Sequence, residues 1–209
     1  GTRTHRPPEE ASAEFAVAAK ETIARGGKII VPAFAVGRAQ ELVFDLQRLI
    51  DAGEIPAIPV FVDSPLAVDV STVFKRHAEL FDEETAKLLR ADGQVFGFKS
   101  LHYTRSVEES KAIRDVKGPA VIISASGMAE TGRILHHLRN HLGEPENTVL
   151  IVSWQAPNTL GRRLADGEKS VKIFGEWFPV RAKVETINGL SGHAGRDLLI
   201  RWATALKPR

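Results

Sequence analysis

The feature that most constrains this chain is a repeated unit: a short continuous apolar run, a turn, then a helix. The runs are Lys28-Ile29-Ile30-Val31-Pro32-Ala33-Phe34, Pro59-Val60-Phe61-Val62-Asp63, Ala120-Val121-Ile122-Ile123-Ser124 and Thr148-Val149-Leu150-Ile151-Val152-Ser153. Their apolar residues follow one another instead of alternating, which requires cover on both faces of each strand. Helical patterns fill the intervals. Residues 9–25 place Phe15, Ala18 and Ile23 on one side and stop at Gly26-Gly27. A second helix opens at Gly37-Arg38 and carries Leu42, Phe44, Leu46 and Leu49. A third, over 65–77, has Ser64 as cap and Pro65 at its first position. A fourth runs from Gly132 to Leu142. This rhythm predicts an α/β domain of three layers, a Rossmann-like parallel sheet flanked by helices.

Three stretches depart from the rhythm. Residues 83–115 read as helical but irregular. Residues 170–187 alternate around Glu176-Trp177-Phe178-Pro179, which predicts a hairpin or a sheet edge. Asp197 to Leu206 forms a closing helix that belongs to another layer.

Composition removes several functions. Twenty-eight Lys and Arg against 26 Asp and Glu leave a net charge of +2, so a polyanion must be met in a local cleft and not on a broadly basic face. Without cysteine, neither disulfides nor thiolate metal sites are available. No apolar run approaches the roughly 20 residues of a membrane span, and the polar opening Gly1 to Pro8 is no signal peptide. A cytoplasmic protein with no membrane contact is expected.

In parallel sheets, ligands collect beyond the carboxyl ends of the strands. Those ends here are Phe34 to Arg38, Asp63-Ser64, Ser124 to Met128 and Ser153 to Gln155, a set that suits a phosphate-bearing ligand. The plainer alternative makes Asp63, Ser64 and Ser124 caps and turn formers. Near the carboxyl terminus, Asn188-Gly189-Leu190-Ser191-Gly192-His193-Ala194-Gly195 sets a serine and an imidazole in a glycine turn ahead of a helix. Such a turn can meet an anion with hydroxyl and backbone donors, and the imidazole can exchange a proton near neutral pH. Familiar alternatives fail. There is no P-loop and no dinucleotide fingerprint, and Ser126 lacks the first glycine of a nucleophile elbow. His137 and His141 lie four apart, but Leu138 stands where a zinc helix needs glutamate, so a solvated basic helix face is preferred.

Five segments in order resemble the β-CASP region of the metallo-β-lactamase-fold nucleases, a family of bacterial RNA-processing enzymes and the eukaryotic pre-mRNA 3′-end endonuclease. They are Gly1-Thr2-Arg3-Thr4-His5-Arg6, Gly26 through Glu41, Asp63-Ser64-Pro65-Leu66-Ala67, Ser124-Ala125-Ser126-Gly127-Met128 with Gly132-Arg133, and Leu190-Ser191-Gly192-His193-Ala194. The resemblance implies a zinc-dependent ribonuclease with two metal ions. His193 would be its catalytic histidine, a general acid to the leaving oxygen or a donor to the phosphoryl group. Ser191 and Gly192 would shape the phosphate pocket. Arg38, Ser124, Ser126 and Gly127 would contact the RNA backbone.

The family's main metal ligands have no counterpart in this sequence. The resemblance therefore implies that this chain binds no catalytic zinc and is a fragment, inactive alone. Residues 1–187 would be the β-CASP domain and 188–209 a segment returning to the metallo-β-lactamase domain. The expected partners are single-stranded RNA and that domain of the same protein, with a homodimer also allowed. Two alternatives stay open: a DNA-processing member of the superfamily, and an inactive β-CASP-like partner subunit.

Overall fold

The computed structural model describes residues 8–83, 85–86, 96–190 and 194–206. Its centre is a six-stranded parallel sheet in the order β3-β2-β4-β1-β5-β8. The strands are β1 (Lys28–Pro32), β2 (Val60–Asp63), β3 (Leu101–Tyr103), β4 (Ala120–Ser124), β5 (Thr148–Ile151) and β8 (Lys183–Thr186). Every residue of β4 and β5 is buried, as their unbroken apolar character requires. β1 pairs with β4 from Lys28↔Ala120 to Pro32↔Ser124 and with β5 at Ile29↔Thr148 and Ile30↔Val149.

Helices cover both faces. On one face, α1 (Pro8–Ala24), α2 (Arg38–Asp51) and α3 (Pro65–Arg76) enclose a core that includes Phe15, Leu42, Leu46, Val31 and Ile123. On the other, α5 (Ile134–His141) and α6 (Leu160–Ala165) pack with Ile30, Val149 and Ile151. The α4 helix (Val107–Ala112) opens with a complete capping box: the Ser106 hydroxyl accepts from the Glu109 N–H, and the Glu109 carboxylate accepts from the Ser106 N–H. The three-layer expectation holds.

The irregular stretch 83–115 hides β3, an edge strand of three half-exposed or exposed residues beside β2. Residues 170–187 hold both expected features. β6 (Ser170–Ile173) and β7 (Glu176–Pro179) form an antiparallel hairpin, and β8 joins the parallel sheet at its edge beside β5. The terminal helix α7 (Arg196–Ala205) has no buried residue, and Leu198, Leu199, Ile200 and Trp202 are exposed. No described helix is long and apolar enough to cross a membrane.

Candidate functional site

The carboxyl ends of β1, β2, β4 and β5 are tied into one edge by short-range contacts. The Ala33 N–H donates to Ser124 O at 3.0 Å, which carries the end of β1 alongside the end of β4. Phe34 then turns outward, 43% exposed, and lies over Gly127. A Cβ on Gly127 would stand 2.7 Å from the Phe34 ring, so glycine is what lets that ring approach the turn so closely. Gly127 O accepts from Gln155 Nε2 at 3.0 Å and Ser153 Oγ at 3.3 Å, which adds the end of β5.

Arg38 begins α2 immediately after Gly37, whose φ of 79° only glycine adopts readily. Its guanidinium pairs with Glu41 one turn on. The amides at this helix start are partly spent inside the loop, since Arg38 N–H donates to Val36 O and Ala39 N–H to Phe34 O. The Arg38 side chain is itself largely buried in its pairing with Glu41. Gln40, buried, clips the loop to α3 by donating to Ala35 O, Ala67 O and Ser71 Oγ.

The turn after β4 is organised by Ser126. Its Oγ accepts from the N–H groups of Glu130 (3.1 Å) and Thr131 (3.3 Å), so the hydroxyl keeps its own hydrogen to donate. Ser124 is 1% exposed, and its single hydroxyl hydrogen is given to Asp63 O at 2.8 Å, so its side chain braces the edge from behind.

Asp63 is the polar centre of this edge. Fully buried, its Oδ1 accepts from Thr104 Oγ1 (2.6 Å) and an Arg133 guanidinium nitrogen (2.7 Å). Its Oδ2 accepts from Ser110 Oγ (2.6 Å) and His137 Nε2 (2.6 Å). Burial alone would raise this carboxyl. The hydrogen bonds from His137, Ser110, Thr104 and Arg133 outweigh it and hold the group well below the usual carboxylate range. Because an ionised carboxylate only accepts, His137 Nε2 carries hydrogen. Arg133 also donates to Arg105 O at 2.6 Å. One anion thus ties β2, the segment after β3, α4 and α5 together.

This cluster overturns the solvated reading of the α5 histidines. His137 and His141 are each 2% exposed, and the solvent side of the helix belongs to His136 and Arg139. Residue type argued for exposure, whereas the four-residue spacing of Arg133 and His137 was the available signal for a shared partner. Sequence spacing could not supply that partner, which lies 74 residues away.

Ser191, Gly192 and His193, the expected catalytic and phosphate-binding turn, lie outside the described residues. The described chain leads toward them from this edge: β8 runs parallel to β5, Ile187 N–H donates to Ile151 O at 2.9 Å, and Leu190 packs on the first core. Among the described residues, no group of three or more His, Cys, Asp or Glu is gathered as a metal site.

Comparison with known proteins yields two family models. The Beta-Casp domain model matches residues 39–164, and the model of a Zn-dependent metallo-hydrolase RNA specificity domain matches residues 177–209. Ribonuclease TTHA0252 of Thermus thermophilus is 38% identical over 202 residues, covering 97% of this chain and 46% of that protein. Transcription termination factor FttA of Methanosarcina mazei is 31% identical over 207 residues, covering 96% of this chain and 32% of that protein. FttA of Pyrococcus abyssi is also 31% identical, over 209 residues, covering 97% and 32%. The chain therefore spans less than half the length of these relatives.

Proposed function

Because this chain belongs to the Beta-Casp domain family, we propose that it is the substrate-gripping part of a metal-dependent ribonuclease that hydrolyses phosphodiester bonds in single-stranded RNA. The observation that carries this reading is the gathering of the family's segments at one sheet edge, with Phe34 on Gly127 and Ser124 on Asp63. The match to an RNA specificity domain and the similarity to a protein named ribonuclease favour RNA over DNA.

In this reading Arg38 and Ser126 hold RNA phosphates, and Gly127 lets Phe34 offer its ring to a base. Ser191 and Gly192 shape the pocket of the scissile phosphate. His193 gives a proton to the leaving oxygen or a hydrogen bond to the phosphoryl group. The metal, two zinc ions, belongs to the metallo-β-lactamase domain of the same protein. The described residues offer it no site, so the chemistry assigned to this chain is that of its own side chains. Residues 1–187 act as the β-CASP domain, and residues 188–209 return to its neighbour. The uncovered apolar side chains of α7 support that return, because clustered apolar surface marks an interaction site.

The test uses the full-length protein. His193→Ala lowers RNA hydrolysis by about 10²–10⁴-fold while metal content, measured by elemental analysis, stays the same. Unchanged turnover removes His193 from the mechanism, and faster cleavage of single-stranded DNA than of RNA moves the protein to the DNA-processing branch.

A further inference from the structure

The helical face that carries α5 has a groove of its own, which starts at the carboxyl edge of the sheet. Two cavities, of about 540 and 570 Å³, share Arg114, Arg139 and Asn140 and so run into one another. The first begins at Arg133 and His137, beside Asp63. The second ends at Lys28 and Asn147, where β1 and β5 start. The groove thus leads from the carboxyl edge of the sheet down to its amino edge, between α5 and the α4 segment.

Its charge is mostly of one sign. Lys111, Arg114, Lys117, Arg139 and the exposed ring of His136 line it, and α5 carries no acid along its length. Asp115, Glu144 and Glu146 are the acids in the walls. Arg114 faces Asp115 at 3.7 Å, and Glu144 is turned to His141 and Asn147. Lys111, Lys117 and Arg139 have no ion-pair partner among the described residues, although the net charge of the whole chain is only +2.

The β6–β7 hairpin borders this groove with aromatic rings. Phe174 is 53% exposed at the tip and lies against His136 with ring centres 4.7 Å apart and their planes tilted by 38°. Phe178 lies under Arg139 at 5.9 Å, whereas Trp177, 64% exposed on the opposite face of β7, lies under Arg163 of α6 at 5.9 Å and outside the groove. Phe174 takes a φ of 51° and Gly175 one of 86°, the pattern of a two-residue hairpin turn that usually selects asparagine and glycine. A residue with a Cβ rarely adopts this conformation, and here it sets the Phe174 ring against His136, one of the residues lining the groove.

A line of cations beside solvent-facing rings is the pairing that binds single-stranded nucleic acid, with phosphates on the charges and bases on the rings. We propose that the α4–α5 groove and the β6–β7 hairpin form a second track for the same RNA, holding the strand outside the catalytic edge. This rests on the RNA-hydrolysing function proposed above.

The experiment compares the full-length protein with Lys111→Glu/Arg114→Glu/Lys117→Glu and with Phe174→Ala. The probes are a fluorescein-labelled single-stranded 30-mer and a hexamer of the same composition, titrated at several salt concentrations. For the 30-mer, the charge variant is expected to weaken binding about tenfold or more and to flatten the salt dependence by about two in slope, since each single-strand phosphate contact contributes about 0.7. The aromatic variant is expected to weaken 30-mer binding at all salt concentrations without changing that slope. Hexamer binding is expected to stay within about twofold of the parent for both. Thermal melting confirms that each variant is folded, and a glutamine triple at the same three positions gives the same ordering if the reversed charges unfold the protein. Equal loss for both probes, or unchanged 30-mer binding in folded variants, overturns the track. If the parent protein fails to cleave RNA at all, the proposed function falls, whereas a parent that cleaves alongside indifferent variants fails the track alone.

Discussion

The two ends of the parallel sheet are fastened by different chemistry. At the carboxyl end one ionised group, Asp63, gathers Thr104, Ser110, Arg133 and His137 from three separate stretches of chain. At the amino end the ties are mostly neutral. Thr22 Oγ1 and Thr148 Oγ1 meet at 2.6 Å, and Thr22 donates to Ala18 O at 2.7 Å. Arg25 reaches Thr148 at 2.9 Å, and Lys28 N–H donates to Asn147 Oδ1 at 2.7 Å. Backbone also meets backbone there, for a Cβ on Gly27 would fall 1.9 Å from Glu146 O. A buried charge is sensitive to the loss of any partner, while hydroxyl pairs fail gradually. The carboxyl end is therefore the more tightly specified and the more fragile to mutation.

Replacing the anion should show the contrast most strongly. Asp63→Ala leaves Arg133 and His137 facing an empty centre and should cost about 3–5 kcal/mol, whereas Thr148→Val should cost about 1 kcal/mol. Urea unfolding of both at pH 7 checks the ratio, and similar losses would erase the distinction. Next in size is Gly27→Ala, which forces the amino end open against a carbonyl. A loss of about 1–3 kcal/mol is expected, with hydrogen exchange rising first in β1 and β5 and later around Asp63.

The smallest effect is in pH. Burial lowers the His141 pKa in the folded protein. The stability tied to its neutral form is complete above the unfolded value of about 6.5 and drains away as pH falls below it. Asp63 is also lowered, but its contribution is complete above an unfolded value of about 3.9 and is lost only in stronger acid. Between pH 7 and 5 the amino end should loosen while the Asp63 cluster holds, as amide exchange resolved by segment would report. His141→Gln should flatten that slope.

Much of this architecture is written in local sequence. Ala120 to Ser124 reads as a doubly covered strand because every residue from Ala120 to Ile123 is apolar, and Ser64-Pro65 announces α3 by cap and fixed φ. Val171 and Ile173 are buried between exposed neighbours, the alternation that marked the hairpin. Leu101 to Tyr103 gave no such signal, since an edge strand of three residues, none of them buried, has neither a run nor a period. The site was legible only where a motif is contiguous. Ser124 faces Asp63 because β2 and β4 pair at Asp63↔Ser124, and register between strands sixty residues apart has no local signature. The same limit concealed the partner of His137 and made a buried histidine look solvated.

The position of β1 in the sheet bears on how the protein is made. Lys28 to Pro32 occupy an interior place whose neighbours are β4 and β5, so Lys28 waits for Ala120 and Ile29 for Thr148. At roughly 5–20 residues per second on the ribosome, the run Ile29-Ile30-Val31 leaves the exit tunnel several seconds before either neighbour exists. During that interval α1 and α2 are its available cover, which makes their early docking a shield for a nascent, sticky strand as well as part of the finished core.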